Sequence, residues 1–116
     1  MSRLVEIRSY NLKPGTRAEF HRLVMERAMP LLEQVRMDVV AFGPSPHDDN
    51  SYYLIRAFDD PAHRDASEAA FYGGAPWREG PREAILALIE NYAEFVIELD
   101  EAVIDRLRTR PVVPRS

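Results

Sequence analysis

The stretch ENYAEFVIELDEAVIDRL, residues 90–107, decides which fold this chain adopts. Tyr92, Phe95, Val96, Leu99, Val103 and Leu107 recur at the spacing of one long helix. Phe95, Ile97 and Leu99 alternate with Glu94 and Glu98, which is equally the period of a half-buried strand. Periodicity supports both readings, so the neighbouring segments must be read first.

Upstream, RLVEIRSYNL (3–12) alternates with period two and contains Val, Ile and Tyr, the pattern of a strand. Lys13-Pro14-Gly15 is a turn signal. Thr16 precedes Glu19 by three residues, a capping box that opens a helix. Phe20, Leu23, Val24, Leu31 and Val35 carry that helix to near Arg36, and Pro30 inside it predicts a kink or a short restart. MDVVAFGP (37–44) and SYYLIRAF (51–58) read as strands joined by the turn formers SPHDDN (45–50), hence a hairpin. Asp60-Pro61 reads as an N-cap followed by proline at the first helical position. Ala62, Ala66, Ala69 and Ala70 give the second helix a small-residue face suited to close approach to a sheet. Gly73-Gly74 stops it, Pro76 restarts a helical segment, and Gly80-Pro81 interrupts that segment before Ile85, Leu88 and Ile89 continue its apolar face. TRPVVPRS (109–116), with two prolines, is expected to be an extended or disordered tail, leaving one domain over 1–108.

The order is therefore strand, helix, strand, strand, helix, and then 90–107. If that last element is a strand, the chain is an α+β domain with the ferredoxin-like βαββαβ topology. Four antiparallel strands then carry both helices on one face and leave the other for a partner.

Composition narrows the function classes. The chain has 116 residues, 46% hydrophobic and 29% charged, as in an ordinary soluble globular domain. A net charge of -4 argues against a general nucleic-acid or anionic-membrane binder. The absence of cysteine excludes disulfides, thiolate metal sites and cysteine nucleophiles. The opening MSRLVEIRSY carries charges and no apolar core of a signal peptide, and no apolar run nears the ~20 residues of a membrane span. The default location is cytoplasmic.

The motif E-x-R-x-Y-x-L-x-P-G at 6–15 leads into a helix containing Phe20 and Pro30. VVAFGP follows, then YYLIRAFDDPAHRDASEAAFYGGAPW at 52–77. In that order and spacing, over residues 3–100, the chain resembles the NIPSNAP family of the dimeric α+β barrel superfamily. The resemblance implies that 92–99 is the fourth strand. It also implies that two chains pack their bare sheet faces together as a homodimer. The chain departs from the family at Gly80-Pro81 and in EAVIDRLRTRPVVPRS, which runs beyond the usual end. The family's biochemical role is undefined. The superfamily includes cofactor-free monooxygenases, isomerases, cyclases and dehydratases, so the fold alone selects no reaction.

Strand parity supplies candidate residues. Glu6, Arg8 and Tyr10 share one face of the first strand, and Tyr52, Leu54, Arg56 and Phe58 one face of the third. Val5 and Ile7, with Tyr53, Ile55 and Ala57, suit the opposite, helix-covered face. The first and third strands are central in this topology, so Glu6, Arg8 and Arg56 are expected near one another on the face away from the helices. Two guanidiniums beside one carboxylate leave a fork for a carboxylate, enolate or phenolate, and the aromatics wall the pocket. The expected ligand-binding set is Arg8, Tyr10, Tyr52, Arg56 and Trp77, with a small aromatic or carboxylate ligand and no cofactor. The competing reading is a structural Glu–Arg network that binds nothing.

His63 and Glu6 are the candidates for proton transfer; a surface or capping role for His63 is the alternative. His21, beside Phe20, is expected at a solvent boundary. His47-Asp48-Asp49 are adjacent loop residues that do not converge on one ion, so no metal site is expected. Trp77 follows a Gly-Gly-Ala-Pro hinge and reads as a cavity lid or as core packing. Three functions fit: a small-molecule-binding protein, a cofactor-independent isomerase, cyclase or monooxygenase, or a protein-interaction module.

Overall fold

A computed structural model describes residues 1–108; the tail expected at 109–116 lies outside the described residues. Strands β1 (Ser2–Leu12), β2 (Asp38–Pro44), β3 (Ser51–Phe58) and β4 (Ile89–Asp100) form one antiparallel sheet in the order β2-β3-β1-β4. β1 is central, paired along its length with β3 on one side and β4 on the other.

Residues 90–107 turn out to be a strand and then a helix. β4 pairs with β1 from Ser2↔Asp100 to Leu12↔Ile89. A helix there would leave the β1 backbone groups on that side unpaired, which is costly in a buried strand. At Asp100 the carboxylate accepts the Ala102 N–H at 3.0 Å and starts a separate helix, Glu101–Leu107.

Between β1 and β2 the helical run is split into α1 (Arg17–Leu23), a π-helical turn (Val24–Ala28) and α2 (Met29–Gln34). Pro30 is the cause. It has no N–H to return to Glu26, and its ring crowds that carbonyl. The turn widens, and the Met29 N–H donates to the Val24 carbonyl, five residues back. The kink expected at Pro30 takes this form. Thr16 does occupy the N-cap, but its hydroxyl donates to the Lys13 carbonyl at 2.6 Å and Glu19 pairs with Arg22, so the capping box does not form.

After β3, Asp60 accepts the His63 N–H at 2.7 Å and opens α3 (Pro61–Tyr72), followed by α4 (Ala75–Arg78) and α5 (Arg82–Leu86). The alanine face of α3 points to solvent: Ala62, Ala66, Ala69 and Ala70 are exposed. Arg64, Glu68 and Tyr72, spaced four apart, are turned onto the sheet with Phe71. This stripe wins because the strands beneath it carry Glu6, Arg8 and Arg56, which need charged and hydroxyl partners.

The sidedness of the sheet is therefore the reverse of the expectation. The helices cover Glu6, Arg8, Tyr10, Tyr52, Leu54 and Arg56, not Val5 and Ile7. The opposite face carries Ile7, Tyr53, Ile55, Phe95 and Ile97. Among the described residues it is covered at one end, where Ile104 of the final helix, α6 (Glu101–Leu107), packs on Val5, Val40, Ala41 and Ala57. Ile104 is 1% exposed. Ile104→Ala is expected to lower unfolding free energy by roughly 2–4 kcal/mol in urea titration, since it leaves a cavity against four packed neighbours.

Candidate functional site

β1 register sets Glu6 opposite Arg56 and Arg8 opposite Leu54, while Arg8 meets Glu94 on β4. Above them α3 supplies Arg64, Glu68 and Tyr72 on one helical stripe. Glu6 is fully buried. Its Oε1 accepts from Arg56 Nε at 3.0 Å and Arg8 Nε at 3.1 Å, and from Arg56 Nη2; its Oε2 accepts from Arg64 Nε at 2.8 Å. Arg8 Nη2 donates to Glu68 at 3.3 Å, and Arg8 Nε lies 3.0 Å from Glu94. Three guanidiniums thus face three carboxylates. The Tyr72 hydroxyl closes the cluster, accepting from Arg56 Nη1 at 2.9 Å and Arg8 Nη1 at 3.3 Å.

The two glutamates facing each other titrate in opposite directions. Burial pushes Glu6 up, but the hydrogen bond with Glu68 and the charges of Arg56 and Arg8 outweigh it and hold Glu6 well below the usual carboxylate range. Burial pushes Glu68 up, the hydrogen bond and charge of Glu6 push it further, and Arg56 and Arg8 oppose this only in part. Glu68 therefore titrates at about 7. Its Oε2 is buried and lies 3.2 Å from Arg64 Nε.

Next to this cluster a cavity of about 370 Å³ opens between the sheet and the helices. Arg8, Tyr10, Tyr52 and Leu54 form its floor; Phe20, Val24, Ala28 and Leu32 form one wall. Phe71, Tyr72, Trp77, Arg82, Ile85 and Leu86, with Ile89 and Tyr92, form the other. The π-helical turn places Val24 and Ala28 on the first wall. Trp77 is buried against Phe71 and Tyr72, at ring separations of 5.4 and 5.5 Å, so it packs the core and walls the cavity at once.

Four residues of the expected ligand set, Arg8, Tyr10, Tyr52 and Trp77, line this cavity. Arg56 does not reach it: it is fully buried and its nitrogens are engaged by Glu6 and Tyr72. The spare guanidinium fork expected beside Glu6 is taken up by Glu68, Glu94 and Tyr72. Glu6 lies behind the cavity wall. His63 sits on the exposed first turn of α3, where its ring accepts the Asp59 N–H at 2.9 Å and meets Phe58 edge-on, apart from the lining. His21 is half-buried, with Nδ1 2.6 Å from the Tyr52 hydroxyl. Burial pushes the Tyr52 phenol up, and pushes Tyr10 up to about 12. His47 pairs with Ser45 and Asp48 in the hairpin loop, and no group of three acidic or histidine side chains among the described residues is placed to hold a metal.

The residues that the strand pattern did not reveal are Arg64, Glu68, Tyr72, Arg82 and Tyr92. The signal for three of them was present: Arg64, Glu68 and Tyr72 recur every four residues in PAHRDASEAAFY, a polar stripe opposite the alanines.

A four-stranded antiparallel sheet with helices on one face, and a cavity between the two, defines a ferredoxin-like α+β domain. The NIPSNAP family model matches residues 5–102, and the chain belongs to that family. An uncharacterised NIPSNAP domain protein from Burkholderia xenovorans superposes with a TM-score of 0.74 at 20% identity, covering 81% of this chain and 91% of the other. A NIPSNAP family protein of unknown function from Agrobacterium tumefaciens gives 0.77 at 21% identity, covering 84% and 87%. A candidate antibiotic biosynthesis monooxygenase from Chloroflexus aurantiacus gives 0.54 at 16% identity, covering 82% and 92%. At these identities the likeness is one of fold. No curated protein matches the sequence. No helix among the described residues is long and apolar enough to cross a membrane.

The titration of the glutamate pair has a measurable consequence. Between pH 4.5, the ordinary glutamate value, and about 7, the folded chain keeps a proton on Glu68 that the unfolded chain has released. Stability therefore falls as pH rises through that window. Glu6 acts in the opposite sense below pH 4.5, where the unfolded chain takes up the proton and the folded one does not, so stability falls again toward acid. Melting temperature is expected to peak near pH 4.5–5 and decline toward pH 7.5. In Glu68→Gln, which cannot titrate, that decline flattens. A wild-type melting temperature constant from pH 5 to 7.5 would contradict the assignment.

Proposed function

We propose that the chain acts as a cytoplasmic homodimer in which each protomer binds a small aromatic or anionic molecule between its sheet and its helices. The cavity carries this reading. A volume of about 370 Å³, mostly aromatic and aliphatic in lining with a few convergent polar groups, is the composition of a small-molecule site. The volume falls within the roughly 300–1,000 Å³ of small-molecule pockets. A ligand that binds only the folded chain raises its melting temperature. A thermal-shift screen of small aromatic acids, ketones and phenols is expected to yield compounds that stabilise the wild type. They are expected to leave Ala28→Phe, whose ring would fill the cavity, unshifted. Equal shifts in both proteins would place binding elsewhere.

The dimer rests on the other face of the sheet. Phe95 is 55% and Ile97 38% exposed, beside Ile7, Ile55 and Tyr53 on neighbouring strands. A contiguous apolar sheet face of this kind marks an interaction surface. It lies on one sheet and is self-complementary in its apolar character, so a second copy of the same face can cover it by two-fold symmetry. Sedimentation velocity is expected to show a dimer, and Phe95→Asp to shift it to monomer with the cavity intact. A wild-type monomer at tens of micromolar would count against the dimer and leave the cavity reading standing.

A second reading, a cofactor-independent isomerase, cyclase or monooxygenase, is favoured by Glu68. A carboxyl titrating at about 7, in contact with the cavity-lining Arg8, is poised for proton transfer at neutral pH. The fold likeness to the candidate monooxygenase is in keeping with that reading.

A further inference from the structure

Tyr72 stands where the ion cluster meets the cavity. A phenolic oxygen has two lone pairs and one proton. Both lone pairs are used, one by Arg56 Nη1 at 2.9 Å and one by Arg8 Nη1 at 3.3 Å. Among the described residues, no carbonyl or carboxylate accepts the remaining proton. The ring itself lines the cavity and is fixed by edge-on contacts with Phe71 at 4.8 Å and Trp77 at 5.5 Å. Two cationic donors on the oxygen polarise the O–H bond, and they are held by Glu6, so the hydroxyl is oriented before anything binds.

The charge inventory selects the kind of acceptor. Arg8, Arg56 and Arg64 are matched by Glu6, Glu68 and Glu94 when all three carboxyls are ionised. Arg82, the lining's other cation, is exposed to solvent, so the balance that matters is at the buried cluster, where an anion would be an uncompensated charge and a neutral oxygen would not. Resting on the small-molecule reading above, we propose that Tyr72 donates its hydrogen bond to a neutral carbonyl oxygen on a flat aromatic ligand. The cavity is thereby assigned to aromatic ketones or quinones rather than to aromatic carboxylates. The rings of Phe71, Trp77 and Tyr92 receive the ligand's apolar body.

Three probes of one shape separate the possibilities: 2-acetonaphthone, which has the carbonyl, 2-ethylnaphthalene, which lacks it, and 2-naphthoate, which carries the charge. Binding is measured by calorimetry at pH 8, where Glu68 is ionised. The ketone is expected to bind the wild type about five- to ten-fold tighter than either other probe, the scale of one neutral hydrogen bond. In Tyr72→Phe it is expected to fall to the level of the hydrocarbon, which itself changes less than two-fold. A ketone no tighter than the hydrocarbon, or one that keeps its advantage in Tyr72→Phe, overturns the role of Tyr72 and leaves the cavity reading intact. Naphthoate binding tightest overturns the neutral class. Failure of all three to bind overturns the cavity reading and this inference together. If Tyr72→Phe does not fold, the infrared carbonyl stretch of the bound ketone decides. A shift to lower frequency than in hydrocarbon solvent supports the bond, and an unshifted stretch overturns it.

Discussion

Glu6 accepts hydrogen bonds from three arginines while fully buried, and the arrangement of the helices over the sheet depends on it. Taking one carboxylate and three guanidiniums out of water is expensive, and their mutual attraction offsets that cost only when the geometry is complete. Removing one member leaves uncompensated charge, at a cost of about 3–5 kcal/mol. Such a cluster adds little net stability over well-packed apolar residues; what it adds is position. Phe71 is the one buried apolar residue of α3, whose alanine face looks outward. The helix is seated chiefly through Arg64, Glu68 and Tyr72. A shift by one residue would rotate all three away from Glu6, Arg8 and Arg56.

The cavity follows from that seating. α3 brings Phe71 and Tyr72 over the sheet, and α4 places Trp77 beside them. The opposite wall is shaped by a different device, the π-helical turn that Pro30 forces between α1 and α2. One wall is therefore fixed by ion pairs and the other by a backbone constraint.

The two faces of the sheet divide the work. The helix face is mixed, polar under α3 and aromatic under α1 and α2, and holds the site. The other face is apolar and half-covered by α6 through Ile104, which lies beyond the stretch matched by the family model. Charge on the site face and exposed Phe95 and Ile97 on the other invert the usual pattern of a two-layer domain, in which the apolar side of the sheet meets its own helices.

The sequence by itself determined the elements and their order: the alternation of β1 and β3, the hairpin at 45–50, the Asp60-Pro61 helix start and the disruption at Pro30. Each rests on local covalent or hydrogen-bonding constraints that act wherever the segment lies. It also placed Glu6, Arg8 and Arg56 together, because strand period and the central position of β1 and β3 suffice for that. Only the tertiary structure decided which face the helices cover. Parity separates Glu6, Arg8 and Tyr10 from Val5 and Ile7 but does not say which set meets a helix. Charged residues look like a solvent face until α3 supplies Arg64, Glu68 and Tyr72 to satisfy them. The double role of 90–107 was hidden for a related reason. A strand and a helix sharing one apolar pattern are distinguished by what they pair with, β1 for Ile89–Asp100 and the Val5–Ala57 surface for Ile104. Both partners lie far away in sequence.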